Sequence, residues 1–381
     1  MKSVLIMETT SAHWRNTENI ALVFKNSNFN VDLYVNSTIS NSLIPTINHH
    51  RNIKLFKANT FNLMRVLFIQ NYDLIIFSSS ILTFKYHSAN FKRFFNLALK
   101  GLLIITFINY KSNKIKLLHS LFMAEQITMK PKSRSYLLNK LGIKVNLLFR
   151  KRVDGYNVFG DILMNDLKQK YDLHKPVFMA PSSLFRKDLL SNFNSKINRN
   201  RVIVIPGRID SRRRDYSWIR LIDENLAKRI RIILLGRTRS EMDFAIISEF
   251  SEKGLMQPHF VNGDFINRDD FENTMLEADF LLFPMKINSN MKESDTRRDF
   301  GPFSDAIRYG KTIITPKSAI VDKQKSKSCL YYTDDLQLIE ILNRIVNDKN
   351  YIKSLKQRGI TNAESFLPEK SNYVNEVISK I

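Results

Sequence analysis

An aspartate stands four residues into the stretch Gly301-Pro-Phe-Ser-Asp-Ala-Ile-Arg-Tyr-Gly310, whose spacing predicts a short helix ended by a glycine. Glycine takes the left-handed conformation that closes a helix, and the β-branched run over 312–315, stopped by Pro316, suits a strand covered on both faces. Asp305 in the early turns of such a helix lies towards the carboxyl ends of neighbouring strands, the edge at which open α/β sheets bind nucleotides. The same pattern also suits a plain helix–strand unit with a solvated Asp305. Arginines stand at corresponding places upstream. Arg208 follows the strand-ending Pro206-Gly207, a cationic run Arg212-Arg213-Arg214 comes soon after, and Arg237 follows Gly236. Guanidinium groups present forked donors that match phosphate oxygens in pairs.

The elements that must hold these residues alternate between strand and helix. In the second half, strands are predicted over 201–207, 230–235, 259–261 and 280–284, with a helix over 269–277 and a polar loop over 285–300. In the first half, strands are predicted over 3–7, 31–35, 53–56, 73–77, 102–107, 156–159 and 177–180. This rhythm predicts an α/β protein built from two doubly wound, Rossmann-like parallel sheets. A length of 381 residues and a hydrophobic content of 44% are ample for two cores.

Five pieces of the second half, in order, carry a family resemblance: PGRIDSRRRDY after the first strand, LLGR at the second, FVNGDF at the third, EADFLLFP at the fourth, then FSDAIRYGKTIITP. Together they resemble the C-terminal domain of GT-B glycosyltransferases, in particular the large family of retaining hexosyltransferases of polysaccharide and lipid-linked sugar synthesis. The resemblance covers residues 200–365 or so. It implies two facing Rossmann-like domains with a cleft between them: an acceptor-side domain over 1–190, a linker over 191–199, a nucleotide-sugar domain over 200–361, and a final helix over 362–381 crossing back to the first domain. It departs from the family in one place. The family carries two acids eight residues apart around this helix, and eight before Asp305 stands Arg297, with Asp295 and Asp299 the nearest substitutes.

The resemblance implies roles. Arg208 is the first choice for the donor diphosphate, followed by Arg213 or Arg214 and by Arg237. Arg212 is expected to be the solvated member of the run; alternatively Arg212-Arg213-Arg214 form an exposed helix start paired with Asp215. Asp305 would accept the ribose hydroxyls, Gly301 and neighbouring amides would hold phosphate through the helix dipole, and Asn262 and Gly263 would cradle the base. The loop Glu8-Thr-Thr-Ser-Ala-His-Trp-Arg15 would face the acceptor, with His13 a general base or an acceptor ligand, or else an exposed loop residue that caps the following helix. This loop lacks a G-x-G turn, which argues against a dinucleotide dehydrogenase. No metal is implied: Asp269-Asp270 and Asp334-Asp335 sit where helices begin and suit capping. A single cysteine, Cys329, excludes a disulfide framework.

Charge is uneven. The net charge is +23, and residues 1–190 hold 27 Lys/Arg against 10 Asp/Glu, whereas the remainder holds 32 against 26. An anionic membrane surface, an acidic glycan or nucleic acid would each fit such an excess. The absence of zinc spacing, an RNP-like strand or a helix-turn-helix signature leaves nucleic acid the least supported. The segment over 85–100 places Phe91, Phe94, Phe95 and Ala98 on one helical face and Lys85, Lys92, Asn96 and Lys100 on another, which suits either a membrane interface or a core face. Basic clusters at 130–134 and 150–152 add to the positive surface. No apolar run approaches the roughly 20 residues of a membrane span. The expectation is a cytoplasmic protein, peripheral on the inner face of the membrane, that takes a nucleotide sugar and a glycan or lipid-linked acceptor.

Overall fold

The computed structural model describes residues 2–8, 14–36, 50–78, 115–121, 151–171, 173–191, 200–238, 241–255, 268–286 and 301–381, with 43, 103–104, 106–107 and 266. The chain forms two compact units, Met1–Ser182 with Pro368–Ile381, and Ser183–Leu367.

The first unit is built on a seven-stranded sheet: β1 (Ser3–Glu8), β2 (Asn30–Val35), β3 (Ile53–Lys57), β4 (Leu74–Phe77), β5 (Lys116–Leu121), β6 (Gly155–Val158) and β7 (Val177–Met179), in the order β3-β2-β1-β4-β5-β6-β7. Every pair is parallel. Val4 to Glu8 are all buried, as expected of a central strand covered on both faces, and Leu5, Met7, Ile75, Phe77 and Leu117 share one core. Helix α1 (Trp14–Asn26) crosses from β1 to β2, α2 (Thr60–Met64) follows β3, and α3 (Asp161–Lys170) joins β6 to β7.

One predicted strand is a helix. Leu103, Ile104, Thr106 and Phe107 are helical, with Ile104 and Phe107 inside and Thr106 exposed. Apolar residues three apart fit one helical face, and a short apolar run does not by itself separate strand from helix. The strand beside β4 is instead β5, whose sequence KLLHSL mixes charge and polarity.

The second unit opens with α4 (Lys187–Ser191) and holds β8 (Arg201–Pro206), α5 (Glu224–Ala227), β9 (Ile230–Leu235), α6 (Glu241–Glu252), α7 (Arg268–Glu277), β10 (Phe280–Leu282), α8 (Gly301–Arg308), β11 (Ile313–Pro316), β12 (Cys329–Tyr332), α9 (Asp335–Asn347) and α10 (Lys349–Ala363). Its sheet is parallel throughout, in the order β12-β11-β10-β8-β9. β12 has no counterpart in the sequence expectations; it places Cys329 in the interior. The last helix, α11 (Tyr373–Lys380), packs against β7 and α1 of the first unit, with the Tyr373 ring edge-on to Phe24 at 5.8 Å.

The helix end foreseen at Gly310 is a paired cap. Gly310 has φ +60°, its N–H donates to Ile307 O at 3.2 Å, and Lys311 N–H donates to Ala306 O at 2.8 Å. Lys311 then turns away from the strand's carboxyl end and ties down α7, donating to the Leu276 and Ala278 carbonyls at 2.9 and 2.6 Å. Among the described residues no helix is long and apolar enough to cross a membrane.

Candidate functional site

The second sheet changes direction at β8, which pairs with β9 on one side and β10 on the other. Ligands of doubly wound sheets bind beside the carboxyl ends of the strands at such a switch. Arg208 leaves β8 at this point. Gly207 adopts φ +88°, a conformation that favours glycine, and the chain stays paired beyond the strand. Gly207 N donates to Leu235 O at 2.9 Å and Ile209 N to Arg237 O at 3.1 Å, so Arg208 and Arg237 sit on adjacent strand ends. Both side chains are half-buried.

The run after Arg208 is not the helix start of the alternative reading, though Arg212 and Arg213 are both exposed. Asp210 is buried, and its backbone oxygen accepts from the Arg213 and Arg214 amides, each at 3.0 Å. Its carboxylate accepts from Arg212 N, Nε and Nη2 at 3.1, 3.0 and 3.1 Å. Arg212 therefore pairs with Asp210 and not with Asp215, although its head remains exposed. Asp215 instead accepts from Ser217 N and Oγ at 3.1 and 2.7 Å, turning the chain into a short 3₁₀ helix. Burial acts to raise the Asp210 carboxyl, but the Arg212 side chain and amide outweigh it and hold its pKa below the ordinary value.

Arg214 has the opposite environment. It is buried, it donates Nη2 to Pro206 O at 2.6 Å, and it lies 5.4 Å over the Phe283 ring. Burial lowers its pKa. Two further bonds fix the same turn to the segment after β10: Asp215 N to Pro284 O and Lys286 N to Arg213 O, both 2.8 Å. These contacts set Arg213, which is exposed, beside Lys286. On the other side of β10, α8 presents Gly301 exposed at its amino end and Asp305 buried one turn later, at 5% exposure. Phe303 packs edge-on to Phe283 at 5.5 Å, anchoring α8 at the same strand end. The ends of β8, β9 and β10 thus gather Arg208, Arg213, Arg237 and Lys286, a positive edge that suits a phosphorylated ligand.

No family model matches the chain, and no curated protein matches it in sequence. Solved structures do. Anabaena HepE in complex with UDP-glucose superimposes with a TM-score of 0.58 at 12% identity, over 100% of both chains. A sucrose-phosphate synthase from Thermosynechococcus elongatus gives 0.57 at 11%, over 100% of this chain and 98% of its own. An alpha-glucosyltransferase in complex with UDP and a 13-mer DNA containing an HMU base gives 0.59 at 10%, over 100% and 99%. The chain has the GT-B fold.

In this GT-B chain Arg208, Arg237, Arg213, Gly301 and Asp305 all belong to elements around the carboxyl ends of the second sheet. His13, Asn262, Gly263, Asp295, Arg297 and Asp299 lie outside the described residues, as do the expected strand over 259–261, the segments over 85–100 and 130–134, and the linker from 192 to 199. Sequence reasoning missed Asp210 and Arg214 as the pair of groups that shape the loop. An acid two residues before a triple arginine is the signal that pointed there. It also missed a polar group in the first unit. Glu8, the last residue of β1, is wholly buried and accepts from Ser78 Oγ at 3.0 Å, while Ser78 and Thr17 of α1 meet at 3.0 Å. An acid closing an apolar strand was the available sign.

Proposed function

We propose that the chain is a glycosyltransferase that transfers a sugar from a nucleotide donor to a glycan or lipid-linked acceptor. The observation that carries this reading is the pairing of Gly207-Arg208 with Gly236-Arg237 at the switch point of the second sheet, in a fold whose solved members hold UDP and UDP-glucose. In this reading Arg208 and Arg237 neutralise the diphosphate, with Arg213 at the outer rim. Asp305 accepts from the ribose, and amides beginning at Gly301 add the helix dipole. Asn262 and Gly263 cradle the base, and His13 serves the acceptor side. Guanidinium and amide groups take the charge of the departing diphosphate without a divalent cation, and the anomeric configuration is retained.

Calorimetric titration with UDP and UDP-glucose, followed by assay of UDP release, tests this. Binding without release under any acceptor would favour a silent sugar-nucleotide binder, a reading motivated by Arg297 in the place of the family's first acid. No binding of any sugar nucleotide would remove the proposal. Asp305→Asn is expected to weaken UDP binding about 10- to 100-fold, the loss of hydrogen bonds to a charged acceptor. A second acceptor class, nucleic acid, draws on the net charge of +23 and on the neighbour solved with DNA. Inclusion of an oligonucleotide among the acceptors decides it.

A further inference from the structure

Arg214 is a buried charge without a counter-charge. The residue is 6% exposed, and among the described residues no carboxylate forms an ion pair with it. The two acids near it in sequence are engaged elsewhere: Asp210 accepts from Arg212 Nε at 3.0 Å, and Asp215 accepts from Ser217 Oγ at 2.7 Å. One arm of the guanidinium is used, Nη2 donating to Pro206 O at 2.6 Å. The other, Nη1, is closed off from water and has no hydrogen-bond partner. Tyr216 and Asp210 support the cation less than burial opposes it. Burying a charge in this state is costly, and groups held so cluster where the charge has a use.

Its position shows where the charge acts. Pro206 ends β8, Phe283 follows β10, and the guanidinium touches both, lying 5.4 Å over the Phe283 ring. The Arg214 backbone bridges to Met285 in antiparallel sense, which sets the side chain across the gap between the two strand ends. That gap is the switch point of the sheet. A Cβ on Gly207 would stand 3.0 Å from Nη2, so the cation lies against the turn that carries Arg208. Because Nη1 is closed to solvent, Arg214 does not itself grip a ligand. It holds the turn through the Pro206 carbonyl and sets the potential around it. A fixed charge in poorly solvated surroundings acts on a nearby anion more strongly than one in water, and it needs no rearrangement when the anion arrives.

We propose that Arg214 is a positioning residue of the phosphate site: an interior cation that the free protein leaves uncompensated and that an anion at the ends of β8 and β9 neutralises. The inference rests on the donor reading for the identity of that anion, the diphosphate of a nucleotide. The test compares the full chain with its Arg214→Met and Arg214→Lys variants, using inorganic pyrophosphate, UDP and uridine as probes. Without ligand, Arg214→Met is expected to unfold at the wild-type temperature or above it, since an apolar side chain of similar length replaces an unpaired charge. Pyrophosphate should raise the unfolding temperature of the wild type and raise that of Arg214→Met less. By calorimetry, UDP should bind Arg214→Met about tenfold or more weakly, uridine should bind both alike, and Arg214→Lys should recover part of the loss. An Arg214→Met variant that unfolds well below the wild type would show the charge to be compensated in the free fold, and would overturn the proposal. Equal losses for UDP and uridine would do the same by reducing Arg214 to a structural support, as would a lysine variant no better than the methionine one. Wild-type binding of UDP that Arg214→Met leaves unchanged removes this inference alone and spares the donor reading. Wild-type binding of pyrophosphate but not of UDP removes the donor reading alone, and binding of neither removes both.

Discussion

Gly236 lies so close to Gly207 that a Cβ placed on it would sit 1.9 Å from the Gly207 carbonyl oxygen and 3.0 Å from the Arg208 nitrogen. No side chain fits between these two strand ends. Gly236→Ala must therefore push the Gly207–Arg208 peptide away, breaking the Gly207 N to Leu235 O and Ile209 N to Arg237 O bonds. A stability loss of about 1–3 kcal/mol is expected from such overpacking against backbone, with UDP binding lost even where the variant stays folded. Urea denaturation and calorimetry on one preparation check both halves. An alanine variant with unchanged stability would mean that the two ends are not in contact.

Arg208 occupies the end of β8, where charge on a departing diphosphate would develop. An interaction stronger in the transition state than in the ground state raises turnover without tightening substrate binding. Arg208→Ala is expected to lower kcat on the order of 10²–10³ and to change donor affinity little. Arg213 is exposed on the outer turn, and Arg213→Ala is expected to cost far less. Steady-state kinetics on the two variants decides the matter; a dead Arg213→Ala beside a healthy Arg208→Ala would move the site.

Arg212 is the member of the run expected from sequence to be dispensable, and its grip on Asp210 alters that expectation. Asp210 is buried, and without Arg212 its carboxylate keeps only part of its hydrogen bonding. The cost in Arg212→Ala should be about 1–3 kcal/mol near neutral pH. Its pH dependence follows from the depressed carboxyl. A group whose folded pKa lies below its unfolded value stabilises above the unfolded value, about 3.9 for Asp, and loses that stability as pH falls through the folded one. The gap between wild type and variant should thus be wide at about pH 7 and narrow at about pH 3. Denaturation at the two pH values measures it, and a constant gap would deny the coupling.

Lys311 offers a test at the alkaline end. Burial, helped by Lys356, pushes its pKa down to about 8. Between that value and the roughly 10.4 of an unfolded lysine, the unfolded chain holds more protons than the folded one, so stability rises with pH. Wild type should gain on Lys311→Met as pH climbs from about 7 to about 9.5. Parallel denaturation curves that keep the same spacing throughout would show that Lys311 is not buried as described.

The sequence by itself determined the alternation of strands and helices, the parallel sense of both sheets and the glycine that ends α8. Each of these rests on local causes: short β-branched apolar runs, turns of Gly and Pro at their ends, and the left-handed cap at Gly310. It also placed Arg208 and Arg237 at strand ends, because each directly follows a glycine that closes a β-branched or leucine-rich run. Local pattern was not enough at 102–107, where strand and helix bury the same residues, nor at β5 and β12, whose short sequences are made strands by the neighbours they pair with. Tertiary structure alone decided which acid each arginine meets. Arg212 lies two residues from Asp210 and three from Asp215, and only the fold of the loop over β10 turns it towards the first. The same contacts bury Arg214 and leave Arg213 in water, a distinction between adjacent, identical residues that depends on Phe283 and Pro206, distant in sequence or across a turn, and so on the packing of the whole strand end.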